Sequence, residues 1–277
     1  MKDDYTEMTI EPAKRFSVDT RELWQYRELF YFFTWRDIKV KYKQTILGVL
    51  WVMLQPLMMM LVFTFFFKSM VEHSSLEMPY PVFVFSGVLL WTFFTSAVTN
   101  AGNSMVLNGP IIKKIYFPRL IIPISSILAA LVDLMVTLVL FVVYLCFSSV
   151  TVNILEVLIF WPLALVLSIV AALGLGSGLS ALMIKYRDFR FVIPFALQLA
   201  FFVTPIVYPV SRVNLPYLKY ILAVNPMYGA IMLFRMPMTT SSPDTIYILI
   251  SVCSSLLLLL LGIGYFKRTE LYFADLA

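Results

Sequence analysis

Residues 36–56, RDIKVKYKQTILGVLWVMLQP, decide the fold, because a basic segment there leads straight into an apolar one. Arg36, Lys39, Lys41 and Lys43 crowd its front, and no charged side chain follows from Ile46 to Phe67. As a helix those 22 residues, at roughly 1.5 Å each, reach about 33 Å, enough to cross a hydrocarbon core of about 30 Å. Cations at the edge of a span stay where the inner leaflet is anionic, so this edge is expected on the cytoplasmic side.

Similar runs recur at about 82–102, 120–148, 155–183, 191–209 and 246–266. The chain is 61% hydrophobic and 13% charged, against about 25% charged for an ordinary soluble domain. An all-α membrane protein with six transmembrane helices is expected; a β-barrel would alternate in segments of about ten residues, which are not seen. The proposed inner segments hold seventeen Lys and Arg, and the outer ones only Lys68, Arg212, Lys219 and Arg235, a positive-inside bias. The net charge of +5 is therefore explained by the membrane, and no nucleic-acid partner is expected. Cys146 and Cys253 lie in apolar runs, which excludes a disulfide framework or a metal-ligand spacing. The start, MKDDYTEMTIEPAKRF, is too polar for a signal peptide.

Residues 1–45 read as a cytoplasmic tail followed by an amphipathic interface helix over about 20–42, opened by an Asp19–Glu22 capping box. Leu23, Tyr26, Phe30 and Phe33 share one face; Arg21, Gln25, Glu28, Arg36, Lys39 and Lys43 fall opposite, and Asp37 and Lys41 are spaced as an i,i+4 pair. Such a helix is expected to lie in the headgroup plane. His73, the only histidine, sits in a polar loop and reads as a loop residue. The 103–119 segment carries an Asn108-Gly109-Pro110 turn and a short amphipathic piece ended by Pro118, with Lys113, Lys114 and Arg119 on the cytoplasmic side. The third run is long enough to tilt or break near Pro123. Inside it, Asp133 is a lone carboxylate, as much a functional-site candidate as a helix-to-helix contact.

In the fourth run, GLGSG (174–178) lacks the Lys-Ser/Thr of a phosphate loop and reads as small residues at a close helix contact. KYRDFR (185–190) is a charged cytoplasmic turn, and Pro205 and Pro209 end the fifth run. Two apolar pieces, 215–224 and 226–238, are each too short to span and are split by Asn225-Pro226. They predict a re-entrant extracytoplasmic hairpin within 210–240, late in which Arg235 needs water or a partner. Residues 46–266 thus form one transmembrane domain, and 267–277 a cytoplasmic tail. No GxxxxGK[ST] sequence, no Ser/His/Asp or Cys/His set and no paired carboxylates on one helix occur, so no catalytic residues are assigned and the chain is not expected to be an enzyme.

The entry RDIKVKYKQT…LQP resembles that of the ABC-2 type permeases that export bacterial surface polysaccharides: O-antigen, capsule and teichoic acid. Related spacing continues at FSGVLLWTFF (85–94), KKIYFPRLIIP (113–123), YRDFRFVIPF (186–195), TPIVYP (204–209) and NPMYGAIMLFR (225–235). The resemblance implies a homodimer of permease chains in the bacterial inner membrane, served by two copies of a nucleotide-binding ATPase that holds ATP and Mg, with no cofactor in this chain. It implies a cargo of polysaccharide on a polyprenyl diphosphate lipid. The ATPase would dock on the N-terminal helix and the two cytoplasmic turns, at Arg36, Asp37, Lys39, Tyr42, Lys113, Lys114, Arg119, Arg187 and Asp188. Among the many aromatics (24 Phe, 15 Tyr, 5 Trp), Trp51, Trp91, Phe94 and Tyr208 are expected to stack against sugars along the path. The 210–240 hairpin, through Asn225, Pro226 and Arg235, would gate the exit. An ABC-2 exporter of drugs or lipids shares this layout; an ion-coupled carrier or membrane-embedded glycan transferase would rest on Asp133.

Overall fold

A computed structural model describes residues 20–43, 48–71, 76–210, 215–240 and 244–270. The tail 1–18, the Asp19 cap, His73, Arg212 and the end beyond 270 lie outside them. Every regular element among the described residues is helical: α1 (Thr20–Gln25), α2 (Arg27–Lys43), α3 (Leu50–Val71), α4 (Tyr80–Leu107), α5 (Gly109–Ile112), α6 (Ile121–Cys146), α7 (Ile154–Lys185), α8 (Phe189–Val203), α9 (Pro216–Val224), α10 (Pro226–Arg235) and α11 (Thr245–Glu270). Helices satisfy every backbone N–H and C=O internally, which hydrocarbon cannot do for them.

Five helices, α3, α4, α6, α7 and α11, are long and apolar enough to cross a membrane. A sixth crossing is counted only if the bent α9–α10 pair is taken as one span. The fifth apolar run forms α8, whose 15 residues extend about 22 Å, short of a full hydrocarbon core. It stops at Thr204, ahead of Pro205. Of the tilt or break expected near Pro123, no break occurs, because that proline sits in the first turn of α6, where a missing N–H costs nothing.

α4 is the centre of the bundle, packed against α3, α6, α7 and α10. The α7–α11 contact is the most extensive, and GLGSG lets the two backbones come close. A Cβ on Gly174 would come within 2.5 Å of the Leu259 nitrogen, and Gly178 faces Gly262 across the same seam. Gly176 turns the other way, where a Cβ would stand 2.8 Å from Ala101 of α4. These small residues let backbones approach, as in other membrane helix pairs.

The basic stretch does not run unbroken into the first span. α2 ends at Lys43, and Gly48 then takes a positive φ of 45°, a left-handed turn that glycine adopts without strain, before α3 begins at Leu50. The N-terminal helix is also interrupted at Tyr26, between α1 and α2.

Candidate functional site

Two ends of the bundle hold the candidate residues. The first gathers α2, the 108–120 segment, the 185–190 turn and the last turn of α11. Phe33 of α2 is buried there with Phe117, Leu120, Ile121 and Phe266, and Leu23, Tyr26 and Phe30 pack on the same cluster. The apolar face read from the helical spacing therefore meets protein. Trp24, Tyr31, Phe32 and Trp35 stay exposed, as aromatics at a membrane–water interface do.

A polar ladder then ties α2 to α6. The Thr34 hydroxyl donates to the Ser125 carbonyl, Ser126 donates to Asp37, and Lys41 Nζ donates to Asp133 Oδ2 at 2.5 Å. The Tyr42 hydroxyl donates to the other Asp133 oxygen. Partners advance together along both chains, so α2 runs alongside the first half of α6 in the same direction. Burial, and then the carboxylate it bonds, push the Tyr42 hydroxyl well above its ordinary pKa.

This ladder revises two expectations. Asp37 and Lys41 do not pair: Asp37 is taken by the Arg36 guanidinium at 2.7 Å, and Lys41 by Asp133. Asp133 is not a lone acid, since both of its oxygens are engaged by α2. Arg36 also donates to Asn108 at 2.7 Å, which links α2 to the end of α4.

Of the nine residues expected at an ATPase interface, Lys39, Lys113, Lys114, Arg187 and Asp188 are exposed. Arg36, Asp37 and Tyr42 turn inward to the contacts just given, and Arg119 is tied to Glu270 at the end of α11. The expected short helix within 103–119 is smaller than its sequence suggests. Residues 103–107 belong to α4, and only Gly109–Ile112 form the separate turn α5. After it, Ile112–Tyr116 and Arg119 surround an open basic hollow.

The opposite end is organised by Arg235, which is 3% exposed. Its Nε donates to Ser86 Oγ (3.1 Å), Nη1 to the Pro205 carbonyl (3.0 Å), and Nη2 to the Phe83 (2.8 Å) and Ile206 (2.9 Å) carbonyls. Its guanidinium lies 3.6 Å from the Phe83 ring centroid. Neutral oxygens and a ring face thus house the cation. Sequence reading saw the need for a partner but not its kind, because backbone carbonyls leave no trace in residue type. The same arrangement requires Gly87, where a Cβ would fall 2.7 Å from Arg235 Nη2.

α9 and α10 meet at 97° across Asn225. The Asn225 side chain accepts from Met227 N (3.0 Å), capping α10, and donates to Thr204 Oγ1 (2.7 Å). α10, from Pro226 through Ile231, is buried in the bundle, whereas α9 is largely exposed. Trp161 Nε1 donates to the Phe234 carbonyl and its ring stacks on Phe234 at 4.8 Å, which fixes α10 to α7.

The four aromatics expected to line a path are scattered. Trp51 is 56% exposed on α3. Trp91 and Phe94 are buried, with Trp91 packed on Phe94 (5.6 Å) and on Phe201 of α8 (6.0 Å), so their rings fill the core of the bundle. The Tyr208 hydroxyl donates to the Val203 carbonyl, 2.7 Å away, at the end of α8. Among the described residues no group of three or more His, Cys, Asp or Glu gathers as a metal site.

Long apolar helices packed through glycines, a basic end and a bent helix pair whose second arm is buried define a polytopic helical membrane protein. The chain belongs to the ABC-2 type transporter family, whose model matches residues 28–239. It is 28% identical over 252 residues to an O-antigen export system permease protein RfbA of Klebsiella pneumoniae, covering 90% of this chain and 95% of that one. To the protein of the same name from Myxococcus xanthus it is 29% identical, over 75% of this chain and 78% of the relative. To the polysialic acid transport protein KpsM of Escherichia coli it is 23% identical, over 72% and 77% respectively.

Proposed function

We propose that the chain is the membrane-spanning permease of an ABC exporter that moves a polysaccharide, carried on a polyprenyl diphosphate lipid, out of the cytoplasm. The observation that carries this is the likeness to O-antigen export permeases, which extends over nine-tenths of the chain. Two permease chains share one path on a two-fold axis, because one protomer's spans are too few to enclose a polymer. Two copies of a separate ATPase subunit bind ATP and Mg and drive the cycle. The assembly sits in the bacterial inner membrane with both termini of the permease cytoplasmic, α8 together with the segment after it carrying the chain back to the outer side as the sixth passage.

The basic end then faces the cytoplasm, in keeping with the positive-inside rule. Lys39, Lys113, Lys114, Arg187 and Asp188 meet the ATPase directly, while Arg36, Asp37, Tyr42 and Arg119 brace the surface from within. Motion imposed on α2 reaches α6 through the Asp133 ladder. The α9–α10 hairpin enters the outer leaflet without crossing it, and Asn225, Pro226 and Arg235 hold it at the exit. Asp133 is committed to Lys41 and Tyr42, which leaves no unengaged acid there to support an ion-coupled carrier.

Deleting this chain from its host and measuring surface polysaccharide tests the proposal. Loss of the polymer, with lipid-linked precursor accumulating inside the cell, is expected. A second measurement is co-purification with the ATPase subunit: Lys113→Glu with Lys114→Glu releases the ATPase while the permease still inserts. Normal surface polymer after deletion sinks the export reading.

A further inference from the structure

From Trp91 to Asn103 of α4, burial and chemistry alternate in step. Trp91, Phe93, Phe94, Ala97, Val98, Ala101 and Gly102 are buried. Each remaining position carries a neutral hydrogen-bonding side chain: Thr92, Thr95, Ser96, Thr99 and Asn103 are partly exposed, and Asn100 is exposed. Their spacing makes one stripe along the helix, about 17 Å long, in the half of α4 that leads to the basic end. In the other half, Tyr80 to Leu90, only Pro81 escapes full burial.

Other exposed helix faces of this molecule look different. The exposed positions of α11 include Leu249, Leu256, Leu257, Leu260 and Leu261, and those of α3 include Leu61, Val62, Phe65 and Phe66. A run of six amides and hydroxyls is out of place against hydrocarbon, and no charge occurs anywhere in α4.

Four of the stripe's donors are spent on groups of α4 itself. Thr92 and Thr95 donate to the carbonyls of Leu89 and Trp91, Asn100 Nδ2 to Ser96 Oγ, and Asn103 Nδ2 to the Thr99 carbonyl. Hydroxyl lone pairs and amide oxygens remain to face outward, an uncharged surface rich in acceptors. Its complement is a neutral chain that brings its own O–H donors. We infer that this stripe of α4 lines the cytoplasmic half of the translocation path and hydrogen-bonds the hydroxyl groups of a sugar polymer. The inference rests on the export reading and deepens it, since Trp91 and Phe94 are closed inside the protomer.

The test uses the full chain with its ATPase in its host cell, after Cys146→Ser and Cys253→Ser remove the native thiols. Ser96→Cys, Asn100→Cys and Asn103→Cys are compared with Leu256→Cys and Leu257→Cys on the exposed apolar face of α11, using a permanently charged thiosulfonate reagent. The cysteine thiolate attacks the reagent's sulfenyl sulfur and displaces sulfinate, and thiolate forms in water, so the stripe is expected to label about tenfold faster or more than α11. In parallel, Thr95→Val, Thr99→Val and Asn100→Leu together lower surface polysaccharide about fivefold or more, at least the size of one neutral hydrogen bond lost, with permease abundance and ATPase co-purification retained. Labelling no faster than on α11 overturns the inference. So does fast labelling with export unchanged in the triple variant. If polysaccharide survives deletion of the chain while the stripe labels fast, the export reading fails and the water-facing stripe stands.

Discussion

Lys41 Nζ of α2 lies 2.5 Å from Asp133 Oδ2 of α6, twelve residues beyond the start of that helix. The carboxylate side chain is 13% exposed and the lysine 45%. This one pair converts a candidate intramembrane acid into the anchor of the N-terminal helix.

The pair is partly open to solvent, so its coupling should be modest. A double-mutant cycle on Lys41→Met and Asp133→Leu is expected to give about 1 kcal/mol, read by thermal unfolding in detergent. Asp133→Lys with Lys41→Asp should recover part of the loss of the single Asp133→Lys variant. Strictly additive effects would show that the ladder does not hold α2.

Arg235 should be far less tolerant. Arg235→Gln removes donors from several buried carbonyls, an expected loss of about 3 kcal/mol or more, seen as low membrane abundance and early unfolding. Arg235→Lys should not rescue it, because a point ammonium cannot reproduce the planar fork that reaches Ser86, Pro205 and Ile206 together. Wild-type stability of the lysine variant would contradict the network.

Two glycines on α11 make a paired test. A Cβ on Gly262 would overlap the Gly174 carbonyl oxygen, whereas one on Gly264 meets nothing within 4 Å. Gly262→Ala is expected to cost about 2–3 kcal/mol by forcing α7 and α11 apart, and Gly264→Ala about nothing. Equal melting temperatures for the two variants would reject the close seam.

Asn225 serves two partners, and its variants separate them. Asn225→Asp keeps the α10 cap but loses the donor to Thr204, while Asn225→Ala loses both. Hydrogen exchange in α10 should quicken more in the alanine variant, with about 1 kcal/mol of the difference belonging to the cap. Identical exchange in both would assign the effect to Thr204 alone.

Periodicity and composition determined much of this molecule by themselves. Apolar runs of about 20 residues mark the spans because hydrocarbon admits only helices of that length. The split at Asn225-Pro226 is local chemistry, a side-chain cap followed by a residue suited to the first turn of a helix, and it is where α9 ends and α10 begins. GLGSG was legible as close packing for the same reason: glycine in a membrane helix has few other uses.

Tertiary structure alone decided which polar groups meet. Lys41 and Asp133 are 92 residues apart, and the i,i+4 spacing of Asp37 and Lys41 pointed to the wrong partner because side chains choose by distance in space. Arg235 found carbonyls of Phe83, Pro205 and Ile206, groups that every residue carries and no residue type announces. Trp91 and Phe94 look the same in sequence whether they line a path or fill a core. Only the packing of α4 against α8 shows that they fill the core, and that threonines, serine and asparagines take the open face. Helix length and apolar pattern are local properties that a chain carries with it, whereas a side chain's neighbours exist only once the helices have packed.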